Sequence, residues 1–533
     1  MKKIIVAIAL MLFVLSGCKS TDSGNNNSNN NVQNENNTST SAEGTSDDII
    51  LSMRTTQNLN PLTNEDSSVD NALKLMFEPL VDIDENFKPK DAIAESWSFL
   101  PSGNALTLKI KDNLYWHDGT PITADDVVFS INVMKSSPEN AVYKTCGLNI
   151  SYCKKIDDLN VEIGFSRAYS GNIYYLFFPV ISSSYYGNNM ESKKLEPMGS
   201  SAYGFKSFTP AKELRLIKTD NSFGKSAITE EISIIITPDR NTDLYSFDQG
   251  ILDIIYADIT EMGKYDNTGT RQISEYPTRY LDYVGFNYNR SVFRDKAVRQ
   301  AVAYALPKKN ILESVYLSHA QITDTIVNPS SWLYEDDVEK YDYNVEKAKE
   351  VLETGGWVDD DGDGIRERVT NSLNEKLNFK ILVNEENDER KQIAYRLAEE
   401  LRSVGIFATV EAVPFADYQD RLAKNQFDMY IGGVSQNPIP DFTYLLGSGG
   451  SMNYSNYSDD EVNSILSQCR NSFDENSMKE AFSNLQKYVA SEVAYIPIVY
   501  RNSSIFANNR INGDINATET NIFRNAYKWY IKK

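Results

Sequence analysis

Two strand-like segments flank one helix-like segment in the second half of the chain. Residues 377–383 and 407–413 are short and rich in apolar side chains, whereas 388–404 places isoleucine or leucine at every fourth position of its apolar face. A glycine follows the helix-like segment, at a position where helices commonly end. Strand, helix and strand in this order predict a parallel sheet covered by a helix.

The rest of the chain has a different pattern. Several short strand-like segments follow one another between residues 160 and 288, and 232–236 is a continuous apolar run typical of a strand covered on both faces. The last 30 residues return to strand-like patterns. The sequence therefore predicts an α/β (α+β) protein of two lobes, in which the C-terminal tail crosses back to complete the first lobe.

The N-terminus resembles a lipoprotein export signal. Lys2 and Lys3 precede the apolar run 4–15, which is too short to span a bilayer and ends in Leu-Ser-Gly-Cys at Cys18. We expect 1–17 to be a lipoprotein signal peptide, Cys18 to carry the lipid anchor, and 18–46 to be a disordered Asn/Ser-rich tether. An ordinary secretory signal with a chance cysteine is the alternative.

Composition and charge exclude some kinds of binding partner. The net charge of −21 repels phosphate backbones and argues against nucleic-acid binding. No segment after the N-terminus approaches 18 consecutive apolar residues, so we expect a soluble body. Cys146 and Cys153 are close enough in sequence either to form a disulfide or to remain free, and Cys469 has the pattern of a buried helical residue.

Residues 94–130 contain a long and specific motif. It comprises Ala94-Glu95-Ser96-Trp97, a spacer with Gly103, Leu106-Thr107-Leu108-Lys109-Ile110, and Trp116-His117-Asp118-Gly119-Thr120-Pro121-Ile122-Thr123-Ala124-Asp125-Asp126-Val127-Val128-Phe129-Ser130. This block is similar, nearly position by position, to the signature of family 5 extracellular solute-binding proteins, which include oligopeptide, dipeptide and nickel binders. Further landmarks follow in family order at Pro197-Met198-Gly199-Ser200-Ser201-Ala202-Tyr203, Gly285-Phe286-Asn287 and Gly355-Gly356-Trp357 with Asp361-Gly362-Asp363-Gly364.

The resemblance implies a two-lobed fold of the periplasmic-binding-protein type II-like class, with an extra subdomain in the first lobe. It implies a first lobe at 47–285 with an inserted subdomain at about 85–200, a second lobe at 286–500, and a return of 501–533 to the first lobe. Two crossing segments then form a hinge.

The same resemblance implies an ABC-importer lipoprotein on the extracytoplasmic face of the cell membrane. Such a protein is a monomer that captures short peptides and delivers them to a permease. It is not an enzyme and requires no cofactor.

The resemblance also implies where a peptide binds. Peptide-binding relatives hold the ligand ammonium with an aspartate in a Trp-containing Asp-Pro loop, and Asp441 takes its place here, although no Trp precedes it and Phe442 replaces the Pro. A loop-capping Asp441 is the alternative. The expected walls of the cleft are Ser435, Gln436, Asn437 and Phe442 on one side, and Thr55, Thr56, Gln57 and Asn58 on the other.

An acidic stretch resembles the first half of a calcium loop. Asp359, Asp361, Asp363 and Glu367 have the spacing of oxygen ligands, but Thr370 stands at the twelfth position, where a glutamate is usual. A structural calcium site and a plain acidic turn both remain open.

A nickel-chelating protein and a secreted hydrolase both fit the sequence poorly. The chain has only two histidines, His117 and His319, which are far apart and do not favour a nickel-chelating site. No His-Glu-x-x-His or Gly-x-Ser-x-Gly motif indicates a secreted hydrolase. A peptide-sensing receptor or scaffold, and a binder of another solute such as a metal chelate or sugar, would share the same fold and stay open.

Overall fold

The computed structural model describes residues 47–187, 195–221, 223–257, 271–370 and 373–532. The predicted signal peptide, Cys18 and the 18–46 tether lie outside these residues. The strands are β1 (Ile49–Met53), β2 (Val81–Ile83), β3 (Pro89–Asp91), β4 (Ala94–Phe99), β5 (Ala105–Ile110), β6 (Ile150–Lys155), β7 (Asn160–Phe165), β8 (Tyr203–Thr209), β9 (Glu213–Lys218), β10 (Glu231–Ile236), β11 (Ile254–Ala257), β12 (Arg271–Phe286), β13 (Ala320–Ile322), β14 (Glu367–Thr370), β15 (Leu373–Lys376), β16 (Asn378–Asn384), β17 (Phe407–Val413), β18 (Met429–Ser435), β19 (Ile496–Asn508), β20 (Ile511–Asn512) and β21 (Tyr530–Ile531).

The helices lie between these strands. They are α1 (Ser67–Leu73), α2 (Ala124–Ser136), α3 (Lys144–Asn149), α4 (Ser183–Tyr186), α5 (Arg240–Asp248), α6 (Ser291–Arg294), α7 (Lys296–Tyr304), α8 (Lys308–Ser314), α9 (Val345–Thr354), α10 (Asp388–Ser403), α11 (Phe415–Ala423), α12 (Thr443–Leu446), α13 (Asp460–Arg470) and α14 (Glu475–Glu492). Two 3-10 helices, Ser170–Leu176 and Ala526–Lys528, complete the set that the structure describes. None of the described helices has the length and apolar character needed to cross a membrane.

A four-stranded sheet in the order β1-β10-β9-β8 forms the base of the first lobe. Strand β1 pairs with β10 in parallel, from Ile49 opposite Ile232 to Met53 opposite Ile236. Ile49, Leu51 and Met53 are fully buried, because alternate residues of a strand face the same side of its sheet. This pairing places the end of β1 beside the interior of the molecule.

The signature block builds a second four-stranded sheet, in the order β4-β5-β7-β6, and the helix α2 that packs near it. The buried carboxylate of Asp126 holds this region together. It accepts hydrogen bonds from Trp116 Nε1 at 3.2 Å, from the backbone N–H of Thr123 at 2.8 Å and from that of Ser183 at 2.7 Å. The Trp, Thr and Asp of the motif are therefore structural, and Thr123 is the N-cap residue of α2.

The largest sheet runs in the order β11-β19-β12-β18-β16-β17. Strands β16 and β17 are parallel, and α10 connects them, as the strand–helix–strand pattern predicts. Ile393, Leu397 and Leu401 of α10 are fully buried in the core of the second lobe. Burial of this apolar face, rather than helix propensity, is what fixes the helix on the sheet.

Two long strands of this sheet connect the lobes. Strand β12 has 16 residues and β19 has 13, and they pair antiparallel over most of their length. Their register shifts between Pro277 and Leu281. Before the shift β19 also pairs with β11, and after it β12 also pairs with β18. The pairing partners of the two strands therefore change at this irregularity, where Pro277 has no N–H to donate.

The C-terminal return differs from the strand-like pattern expected for the last 30 residues. Only β20, β21 and a 3-10 helix are regular after β19 in the residues described. Gly513 has a φ of 112° and Asn525 a φ of 65°, which are incompatible with a continuous strand. Trp529 is fully buried, and its carbonyl accepts a hydrogen bond from Thr229 Oγ1 at 2.8 Å, so the return packs on the first lobe.

The inserted region and the second lobe also contact each other away from the crossing strands. Ser170 Oγ donates to the carbonyl of Cys469 at 2.7 Å. The rings of Phe99 and Phe473 lie 5.3 Å apart. These contacts join the inserted region to α13 and the segment that follows it.

The three described cysteines are free thiols. Cys146 is buried in α3 and Cys153 lies in β6, so the disulfide between them is not formed in this structure. Burial raises the pKa of both thiols to about 12, which makes them unreactive at neutral pH. Cys469 is buried on α13, as its sequence pattern predicts.

Candidate functional site

Three cavities follow one another along the crossing strands. The largest has a volume of about 380 Å³ on the side of the first lobe, and two smaller ones have volumes of about 10 and 40 Å³. Tyr276 and Glu519 line both the largest and the smallest cavity, and Phe87 lines both of the small ones. The cavities therefore form a series that passes from the first lobe to the second.

The 380 Å³ cavity lies at the carboxyl end of β1. Arg54 follows this strand directly, and its guanidinium donates to Asp243 Oδ2 and to Thr237 Oγ1, each at 2.6 Å. Tyr256 and Tyr276 add aromatic surface to the wall. The volume lies within the range of pockets that hold small ligands, and a mixed aromatic and polar lining is usual for them.

A buried pair of opposite charges stands between the large cavity and the second lobe. Arg279 lies in the irregular part of β12, and Glu519 lies on the C-terminal return. Arg279 Nε is 3.0 Å from Glu519 Oε2, and the backbone N–H of Arg279 donates to the same carboxylate at 3.2 Å. Glu519 faces the large cavity, whereas Arg279 lines the 40 Å³ cavity beside the second lobe.

Burial away from water has the largest effect on the pKa values of this pair. The two side chains are only 17% and 21% exposed. Burial raises the pKa of Glu519 and lowers the pKa of Arg279, and their mutual attraction opposes these shifts only in part. Each charge of the pair would therefore gain from an additional partner of opposite sign.

The loop after β18 forms the wall of the 40 Å³ cavity on the second lobe. Gln436, Asn437, Asp441 and Phe442 line it together with Arg279, as the sequence predicts for one wall of a cleft. The backbone N–H of Gln436 donates to the carbonyl of Arg279 at 2.9 Å, which ties this loop to the crossing strand.

Asp441 already has two partners. Its Oδ1 accepts a hydrogen bond from the backbone N–H of Thr443 at 2.9 Å, which caps the loop just before α12. Its Oδ2 is 3.8 Å from Arg167 Nη2, and the Arg167 side chain is 60% exposed. The capping role that the sequence left open is thus present, and the contact with Arg167 is weak.

The expected opposite wall lies elsewhere. Thr56 Oγ1 bonds to the backbone of Asn58, and Asn58 Nδ2 donates to Thr63 Oγ1 at 2.9 Å. Gln57 lines a separate cavity of about 640 Å³, and Thr55 is exposed. Among the described cavities, the structure does not bring these four residues together with Asp441.

Ser435 is the last residue of β18 and pairs with Tyr280 of β12. It is exposed and does not line the three cavities at the crossing strands. The predicted wall on the second lobe therefore begins one residue later, at Gln436.

Residues 88–456 match the profile of bacterial extracellular solute-binding proteins, family 5 Middle. This chain belongs to that family. The solute-binding protein is similar to the oligopeptide-binding protein AppA of Bacillus subtilis, with 24% identity over 100% of this chain and 98% of AppA.

Solved structures show the same fold. The ABC transporter substrate binding protein CtaP of Listeria monocytogenes has a TM-score of 0.72 at 21% identity, covering 91% of this chain and 99% of CtaP. AppA of B. subtilis in complex with a nonapeptide has a TM-score of 0.57 at 23% identity, over the same shares of the two chains. The expected two-lobed, type II-like fold is confirmed.

Sequence reasoning missed Arg279 and Glu519 in this solute-binding protein. They are 240 residues apart, and no local pattern connects them. The usable signal was Pro277, two residues before Arg279, because a proline inside a strand marks an interruption of β12. Glu519 gave no such signal, because it lies in a polar segment without periodicity.

The two histidines of the binding protein are occupied by protein contacts. His117 Nε2 is 2.8 Å from the carbonyl of Ser201, and burial lowers its pKa. His319 Nδ1 is 3.1 Å from Glu275. The histidines lie in different hydrogen-bond networks and form no shared site.

The predicted calcium ligands do come together. One carboxylate oxygen from each of Asp359, Asp361, Asp363 and Glu367 lies within 4.8 Å of the others. The first three side chains are exposed and Glu367 is buried. This cluster is on the second lobe, separate from the cavities at the crossing strands.

Proposed function

We propose that this protein captures short peptides outside the cell for an ABC importer. The observation that carries the proposal is the dehydrated Arg279–Glu519 pair, which borders a 380 Å³ cavity at the crossing between the lobes. A free peptide carries an ammonium and a carboxylate. The ammonium can replace Arg279 as the partner of Glu519, and the carboxylate can replace Glu519 as the partner of Arg279. The oligopeptide-binding protein AppA and its nonapeptide complex support peptide as the class of ligand.

The peptide ammonium binds Glu519 in the large cavity. Arg279, released from its partner, then binds the peptide carboxylate or main-chain carbonyls on the side of the 40 Å³ cavity. Charge-assisted hydrogen bonds of this kind each contribute about 1.5–3 kcal/mol. Gln436, Asn437 and Phe442 form the remaining wall.

Asp441 is a second carboxylate for the ammonium. Its weak contact with the exposed Arg167 can be replaced by a ligand cation, but its hydrogen bond to the loop backbone at Thr443 competes for the same carboxylate. Longer peptides also contact residues outside the cavities at the crossing strands. These residues are Thr55, Thr56, Gln57, Asn58 and Ser435.

Binding acts through the hinge. The irregularity between Pro277 and Leu281 allows the two halves of β12 to reorient, and opening of the lobes would break contacts such as that of Ser170 with Cys469. A ligand that contacts both lobes favours the closed arrangement by its differential affinity for it. No bond in the peptide is made or broken.

The remaining parts of the proposal concern location. Lipidation at Cys18 anchors the protein to the extracytoplasmic face of the cell membrane, and the 18–46 tether lets a monomeric body reach the permease. A peptide-sensing receptor or scaffold is the alternative, and adjacent permease and ATPase genes would favour import over it.

Native mass spectrometry of the protein isolated from its source tests the ligand class. We expect an added mass equal to an intact short peptide, which remains unchanged on prolonged incubation. A bound metal chelate or sugar, or peptide fragments that accumulate with time, would contradict the proposal.

A further inference from the structure

The acidic loop of the second lobe is built around a buried carboxylate. The loop runs from Asp359 to Gly364, between Trp357 and the hairpin of β14 and β15. Glu367, the first residue of β14, is only 3% exposed. Its carboxylate lies beneath three exposed aspartates, with one oxygen from each of the four residues inside a 4.8 Å cluster.

The two oxygens of Glu367 have different roles. Oε1 accepts hydrogen bonds from the backbone N–H groups of Asp360, at 3.0 Å, and Asp361, at 3.3 Å. Oε2 is buried and has no hydrogen-bond partner among the described residues. A buried carboxylate oxygen without a partner is costly, and a cation is the partner with the largest effect.

A protein cation already approaches the exposed side of the cluster. Lys376, at the end of β15, has its Nζ 2.7 Å from Asp361 Oδ2 and 2.5 Å from Asp363 Oδ2. One ammonium cannot neutralise four carboxylates, and it does not bond to Glu367. The cluster therefore retains a strong preference for a more highly charged cation.

We propose that Asp359, Asp361, Asp363 and Glu367 bind one calcium ion, which displaces Lys376. All the donors are oxygen atoms, which suit Ca²⁺ rather than Zn²⁺ or Ni²⁺. Mg²⁺ fits less well, because it requires near-ideal octahedral geometry and gives up its water reluctantly. The loop carbonyls and water complete the coordination.

The ion stabilises the second lobe and takes no part in ligand capture. It links the loop to the first residue of β14, and the hairpin is in turn held by Arg368, whose guanidinium stacks 4.3 Å from the centre of the Trp357 ring. Extracellular calcium modules have dissociation constants of about 10⁻⁴–10⁻³ M, which defines the concentration range to test.

Calorimetric titration of the whole chain with CaCl₂ tests the site. We expect one equivalent to bind and the melting temperature to rise with calcium concentration. Glu367→Gln keeps an acceptor for the two backbone N–H groups but replaces the free oxygen, and it should weaken calcium binding at least tenfold. Lys376→Gln should tighten it severalfold, because no resident cation has to leave.

Glu346→Gln is the matched control. It removes one negative charge from the exposed surface of α9 and should leave calcium affinity within twofold of wild type. Far-UV circular dichroism of each variant confirms that it folds. The proposal is overturned if calcium does not bind, if Glu367→Gln and Glu346→Gln behave alike, if Lys376→Gln weakens binding, or if Mg²⁺ binds as tightly as Ca²⁺.

Discussion

Two buried ion-pair clusters lie three residues apart on β12, and they differ in how completely each charge is satisfied. Asp282 is fully buried and accepts hydrogen bonds from Arg390 Nε at 2.9 Å, from Arg501 Nε at 2.6 Å and from Tyr316 OH at 2.7 Å. Glu519 has one arginine partner and a cavity on its other side. The first cluster is closed by protein, and the second is open to a ligand.

Their pKa shifts follow this difference. Burial raises the pKa of Asp282, but its two arginines outweigh burial, so the net shift is downward. For Glu519 burial wins over Arg279, and the net shift is upward. A buried carboxylate beside the crossing strands is thus structural where its charge is fully compensated, and it is available for a ligand where it is not.

The largest effect is expected from Asp282→Asn. This change leaves Arg390 and Arg501 buried without their anion, and breaking a buried pair in this way costs about 3–5 kcal/mol. Urea denaturation should show this loss in the free energy of unfolding. A loss below about 1 kcal/mol would mean that the cluster is not structural, and the contrast with Glu519 would fail.

Glu519→Gln should have its main effect on binding. We expect the affinity for peptides with a free amine to fall about 10- to 100-fold, since one charge-assisted hydrogen bond contributes about 1.5–3 kcal/mol. The free energy of unfolding at pH 7 should not fall. Asp514→Asn, an exposed change on the same return segment, should alter neither quantity. Equal affinities for the two variants would remove Glu519 from the site.

Asp441→Asn should weaken peptide binding about tenfold, less than Glu519→Gln does, because asparagine can still accept the hydrogen bond from Thr443 and the lost charge is partly solvated. Calorimetry with the same peptide gives the comparison. Were Asp441→Asn the more damaging change, the ammonium would lie on the second lobe, and Glu519 would be only a neighbour.

The smallest expected effect is the pH dependence of the free energy of unfolding, and its sign differs between Glu519 and Asp282. Since the folded pKa of Glu519 is raised, the folded state holds its proton more tightly, and stability is lost as pH rises from about 4.5 through the folded value. Glu519→Gln should therefore become steadily more stable than wild type across that interval.

Asp282 has the opposite dependence. Its folded pKa is lowered, so its stabilisation is present above about 3.8 and is lost as pH falls through the folded value. Denaturation curves of wild type and both variants between pH 3 and 8 measure these slopes. The same sign for both carboxylates would contradict the comparison.

Regular elements with a strong period were predictable from sequence. Strand β17 was predicted with the bounds that the structure gives it, and α10 within one residue, because their apolar patterns match the faces they bury. Strand β18, from Met429 to Ser435, is harder to recognise, since Gly432 and Gly433 interrupt its apolar pattern and its position is set by pairing with β12.

The site was less predictable than the fold. Gln436, Asn437, Asp441 and Phe442 line one cavity, because they lie close together in a loop that the family resemblance marked, and their contact with a ligand stays a prediction. Glu519 was missed, because its place in the candidate site depends on its ion pair with Arg279, which is 240 residues away in the sequence. Pairing of distant charges is a tertiary property that no local pattern carries.

The most direct test of the account is a calorimetric cycle that removes the peptide ammonium and the Glu519 charge separately and together. One short peptide, with a free and with an acetylated N-terminus, is titrated into wild type and Glu519→Gln. Acetylation should weaken binding to wild type at least tenfold and leave binding to Glu519→Gln almost unchanged, since the two groups interact with each other. Equal losses in both proteins would show that the ammonium binds elsewhere, and would contradict the account.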